Sequence, residues 1–131
     1  MSSAEDAFQY AIWRVVPSVE RGEALNVGVV VYCRRRQFLE ARVLVDQERL
    51  RALSPDLDVD AVRHHLDGLV RVAAGDPTSG AIAAMPQSER FGWLTAASST
   101  IVQPSPIHTG LCSNPEAVLD RLYTRLVAAH A

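Results

Sequence analysis

The chain has no lysine: all thirteen of its cationic residues are arginine. That absence removes Schiff-base chemistry and the phosphate-binding lysine of a P-loop. Cysteine is scarce. Cys33 and Cys112 stand 79 positions apart and form no CxxC pair, which argues against a zinc site. A basic surplus is missing too: the net charge is −2, so no overall field gathers nucleic acid. No apolar run approaches the roughly 20 residues of a membrane span, and no membrane partner is expected. The opening MSSAEDAF lacks the cationic start and apolar core of a signal peptide. No cofactor loop and no metal-ligand spacing occur, so no cofactor is expected. These absences together predict a soluble cytoplasmic protein with reduced thiols.

What is present suits one domain spanning residues 1–131, with residues 1–7 as a flexible tail. A chain of 131 residues and 14.3 kDa buries about two-thirds of its unfolded surface and folds without metal or disulfide. Apolar residues at 48% and charged residues at 21% are an ordinary globular balance.

Phe8 to Val16 is rich in aromatic and β-branched residues and predicts a strand ended by Pro17. Val27 to Cys33 is apolar on both faces, as in a central strand covered on both sides or paired within the core. Phe38 to Val45 alternates, with Leu39, Ala41, Val43 and Val45 inward and Glu40 and Arg42 toward water. These three strands make an antiparallel meander. Asp46 can cap a short helix over 47–53, stopped by Ser54-Pro55. Asp58 or Asp60 caps a longer one, with Val62, Leu66, Leu69 and Ala73 on its stripe and Gly75-Asp76-Pro77 at its end. Gly68 within it suggests a close approach to the sheet. Thr78 to Pro86 is expected as a loop, and 88–94 as a helical turn with an aromatic anchor.

Thr100 to Gly110 looks extended. Pro104 and Pro106 are two apart, so both missing N–H groups lie on one side. Pairing runs only through Gln103, Ser105 and Ile107, which predicts an edge strand. The last helix is capped by Asn114, opens with Pro115 and buries Val118, Leu119, Leu122, Tyr123, Leu126 and Val127. The expected fold is α+β: a small antiparallel sheet, made of a three-stranded meander and a proline-bearing edge strand, with about three helices on one face.

The stretches YAIWRVVP, ERGEALNVGVVVY, RFGWLTAASSTIVQPSPIHTGLC and NPEAVLDRL together resemble the bacterial family called domain of unknown function 3037. The likeness runs from Phe8 to about Val127. It implies a short single-domain bacterial protein without established activity. Members are often encoded beside a HipA-like kinase, which implies a protein partner.

Four constellations can carry function. Glu20, Arg21, Glu23 and Asn26 lie in a connection longer than a hairpin needs. Carboxylates there can hold a cation or a partner's arginine, and Arg21 can meet an anion. The plain alternative is a solvated turn, with Gly22 and Asn26 at positive φ and Gly28 in a bulge. The edge segment adds Ser98, Ser99, Thr100, Gln103, Ser105, His108, Thr109 and Cys112, suited to peptide pairing or, with Cys112 and His108, to nucleophilic chemistry. A buried cysteine and a backbone-satisfied histidine are the alternative. Arg34, Arg35 and Arg36 sit at a hairpin tip that can grip an acidic protein or a phosphate backbone, or simply be solvated. His64 and His65 diverge by about 100° on a helix and cannot share one metal. Trp13, Phe91 and Trp93 are expected in the core. A non-enzymatic protein-interaction module is the leading expectation. A small enzyme or ligand binder joining the 20–26 loop to 103–112 is second, and nucleic-acid binding through Arg34–Arg36 third. Homo-oligomerisation through the edge strand is a further option.

Overall fold

The computed structural model describes residues 4–96 and 101–128; Ser98, Ser99 and Thr100 lie outside them. The first strand, β1 (Asp6–Val15), starts two residues earlier than its aromatic pattern suggests. It pairs antiparallel with β2 (Leu25–Cys33), and β2 pairs antiparallel with β3 (Phe38–Val43). The meander is therefore as expected. The other side of β1 carries two short strands set end to end. β4 (Val102–Pro104) pairs with Trp13–Val15, and β5 (His108–Cys112) pairs with Asp6–Tyr10. The sheet thus has five strands, in the order β3-β2-β1-β4 with β5 also on β1.

The prolines explain this edge. The N–H of Ser105 donates to the Ile12 carbonyl at 2.7 Å, so Pro104 and Pro106 on either side turn their nitrogens away from β1. Pairing does not continue through Ile107. Trp13 faces Pro104 and Tyr10 faces His108, so the edge uses one residue more than β1 over that interval and the strand breaks.

The helices are α1 (Gln47–Leu53), α2 (Val59–Ala74), α3 (Gln87–Leu94) and α4 (Pro115–Leu122), with a 3-10 turn over Ile82–Ala84 and a π turn over Tyr123–Val127. Their caps are the sequence's own. The carboxylates of Asp46 and Asp58 accept from the N–H groups of Arg49 and Ala61, and the Asn114 side chain accepts from Glu116 and Ala117. The 3-10 turn falls where a loop was expected. Gly68 makes no close approach to the sheet: a Cβ there would meet nothing nearer than the Arg71 guanidinium at 4.0 Å.

Helices cover both faces of the sheet, not one. Ala11, Trp13, Val15, Val27, Val30, Tyr32 and Leu39 pack with residues of α1, α2 and α3. On the opposite face Phe8, Val29, Val31, Cys33 and Cys112 pack with Val118, Leu119, Leu122 and Val127. The doubly apolar β2 is the residue-level cause. A bulge adjusts its alternation: Trp13 faces Gly28 while Arg14 faces Asn26, leaving Val27 as an extra residue. Val27 and Val30 can therefore share a face although three apart. Arg42, expected in water, instead forms an ion pair with Asp120 of α4 and lies 5.7 Å from the Tyr123 ring centroid.

Candidate functional site

Residues 16–24 connect β1 to β2 at one end of the sheet. Gly22 takes φ 69°, and its N–H donates to the Val19 carbonyl at 3.2 Å, so a tight turn forms there. Arg21 Nε and Glu23 Oε1 lie 2.8 Å apart in solvent, and Glu20 is exposed. An exposed pair of this kind contributes little to stability. A shallow cavity of about 170 Å³ sits between Pro17, Ser18, Arg21 and Glu23 and the end of α1 at Leu53, Ser54 and Pro55.

Asn26 is not part of that turn. It lies within β2 at negative φ, and its Nδ2 donates to the Leu126 carbonyl at 3.0 Å. The side chain ties the sheet to the C-terminal π turn. The register sets Asn26 and Gln103 on opposite sides of Arg14. Two strand spacings put them about 10 Å apart. Arg14 between them brings one guanidinium nitrogen 3.5 Å from the Pro104 carbonyl, and its Nε has no hydrogen-bond partner among the described residues.

His108 does not join this row. It faces Tyr10, four residues along β1, which adds about 13 Å. There it is exposed and stacks on the Tyr10 ring, with centroids 5.0 Å apart and planes at 25°. Ser105 is buried and committed to the backbone. Its Oγ accepts from the Ile12 N–H at 2.9 Å and donates to the Pro106 carbonyl at 2.9 Å. The geometry therefore brings Asn26 and Gln103 into one neighbourhood and leaves His108 outside it.

Cys112 faces Asp6 at the far end of β5 from His108, about 13 Å along the strand. The thiol is buried beside Cys33. Burial pushes its pKa up, and the neighbouring Cys33 adds to the shift. Both cysteines are free. A nucleophilic thiolate needs the reverse environment, so Cys112 and His108 do not form a Cys–His pair.

The arginine tip is at the opposite end of the sheet from the 16–24 turn. Eight residue steps from Asn26 to Arg34 correspond to about 25 Å. Residues 34–37 form the turn, with Gln37 at φ 51°. Arg36 does not act with its neighbours: its Nε pairs with Asp6 at 2.9 Å, and a second nitrogen donates to the Ala4 carbonyl at 2.9 Å. Arg34 and Arg35 are exposed. No group of three or more potential metal ligands occurs among the described residues, and none of their helices is long and apolar enough to cross a membrane.

Two surface features escaped the sequence reading. Trp93 is 47% exposed, whereas Trp13 and Phe91 are core residues as expected. Phe91 and Trp93 are two apart on α3 and cannot face the same way, a signal that was available. Trp93 borders an apolar cavity of about 200 Å³ that also touches Trp13, His65, Leu69, Val102 and Pro104. His65 lines this cavity and His64 is exposed, but both also border a neighbouring groove with Gly68 and Trp93. The second feature is a pair of exposed apolar residues on the broken edge, Ile107 at 45% and Leu111 at 65%.

Comparison with known proteins gives no match among curated proteins and none among solved structures. The family comparison does match: the model described as "Protein of unknown function (DUF3037)" covers residues 10–127, nearly all of the sheet and every helix described above, and the chain belongs to that family.

Proposed function

We propose that the chain is a non-enzymatic module that binds another protein, and that the β4–β5 edge is its principal contact surface. The observation that carries this reading is the exposure of Ile107 and Leu111 around the exposed His108 and Thr109. Apolar anchors set among polar neighbours suit a protein contact. The proline nitrogens on the same edge discourage extension of the sheet, so side chains, not added strand pairing, make the contact. Arg34 and Arg35 and the Arg21–Glu23 turn lie at opposite ends of the sheet. Each serves as a peripheral contact, because one small ligand cannot reach both.

A HipA-like kinase is the first partner to try, since the family's gene neighbourhood suggests one. The test is binding of the purified chain to that kinase by calorimetry, with Ile107→Asp and Leu111→Asp as variants. Loss of binding in both, with circular dichroism unchanged, supports the reading. Full binding by both variants overturns the proposed surface, and no binding by the wild-type chain overturns this partner. Capture from native lysate then decides whether any protein partner exists.

A further inference from the structure

The opposite edge of the sheet is built differently. β3 contains no proline, and its register with β2 runs from Gly28↔Val43 to Cys33↔Phe38 without a shift. The N–H of Leu44 donates to the Val27 carbonyl at 2.8 Å, continuing the same register. Phe38, Glu40 and Arg42 therefore turn their backbone groups toward β2. Antiparallel alternation turns the N–H and C=O groups of Leu39, Ala41 and Val43 outward. No described strand lies beyond them. Gln87 Nε2 donates to the Gln37 carbonyl just before the strand, but β3 itself is a regular, proline-free edge, and such an edge is a template for another strand.

The sequence of β3 is complementary to itself. Consider two copies paired antiparallel about a two-fold axis at Ala41. Leu39 then faces Val43 of the second copy, Ala41 faces its equivalent, and Val43 faces Leu39. All three are pairs in which the outward groups exchange hydrogen bonds. On the other face of the sheet Glu40 faces Arg42 of the second copy, and Arg42 faces Glu40. Opposite charges thus meet twice across the axis, as an isologous interface requires. Glu40 is exposed and makes no ion pair among the described residues. Arg42 gives Nη1 to Asp120, which leaves further donors on its guanidinium.

We infer that β3 is a homodimer seam, at which two copies of this chain join their sheets in the register centred on Ala41. The seam lies on the edge opposite the surface proposed above, so either can fail while the other stands.

Analytical ultracentrifugation of the purified full chain tests it. The expected species is a dimer. Ala41→Pro removes an outward N–H and leaves the β2 hydrogen bonds intact, so it yields a monomer with an unchanged circular dichroism spectrum. Glu40→Arg sets arginine against Arg42 and weakens dimerisation about tenfold or more. Ala41→Cys places its thiols across the axis and forms an intermolecular disulfide on oxidation. If Ala41→Pro fails to fold, the other two variants decide, because neither touches a backbone donor. A wild-type monomer across the soluble concentration range overturns the inference. So does a dimer that Glu40→Arg leaves unweakened, or an Ala41→Cys dimer that does not cross-link.

Discussion

The two faces of the sheet are closed in different ways. The Trp13 face is covered by α1, α2 and α3, and the indole Nε1 donates to the Leu94 carbonyl at 3.0 Å. The Phe8 face is covered by α4 and the π turn, with fewer buried residues among those described. Polar ties hold this second layer at its margins: Asn26 to Leu126, and Arg42 to Asp120. One face is thus secured by apolar area spread over several elements. The other relies on one terminal helix, where a few specific side chains weigh more. Because stability is a small difference between large terms, the two layers need not loosen together.

Deleting the largest buried side chain gives the greatest effect. Trp13→Ala should cost about 3–5 kcal/mol in urea-unfolding free energy, and Leu119→Ala on the other face about 2–5 kcal/mol. A Leu119→Ala loss larger than that of Trp13→Ala would break the contrast between the faces. Gly28→Ala comes next. An added Cβ would stand 2.8 Å from Val43 Cγ1 and 2.9 Å from the Trp13 ring, so the indole must shift. A loss of about 1–3 kcal/mol is expected, with a change in tryptophan fluorescence.

Asn26→Ala should cost about 1 kcal/mol. It should also raise amide hydrogen exchange in α4 and leave α2 unchanged; a uniform rise across both helices would contradict the two-layer description. The smallest effect concerns Cys112. Its folded-state pKa lies above the ordinary thiol value, so its contribution is present below that value and is lost as pH climbs through the raised one. Thermal melts should therefore fall more steeply with alkaline pH in the wild-type chain than in Cys112→Ala.

Local features were legible in the sequence. Asp46, Asp58 and Asn114 cap the helices through bonds two or three residues away, and the two prolines fixed which side of their segment could pair. The doubly apolar β2 pointed to cover on both faces or to pairing within the core, while the helices were expected on one face only. Which helix supplied it was not readable, because apolar stripes carry no address. Contacts between distant residues were hidden for the same reason: Arg42 with Asp120, Cys33 beside Cys112, and Asn26 with Leu126. The sequence suggests a turn residue at Asn26, and only its register on Arg14 shows that it lies within a strand. The break between β4 and β5 depends on how the edge meets β1, so the segment's own residues could not reveal it.

The two proline nitrogens facing away from β1 also bear on how far the molecule can polymerise. A sheet open at both ends can add copies without limit and grow into a fibre. Here the β4 end lacks two of the donors that a following strand would need. If β3 is the seam inferred above, strand addition there uses the proline-free β3 edge of each chain, and the two prolines disfavour further growth past β4. On that seam, Pro104 and Pro106 would act as a chain terminator at the β4 stretch, opposing growth beyond the pair from a position outside the seam itself.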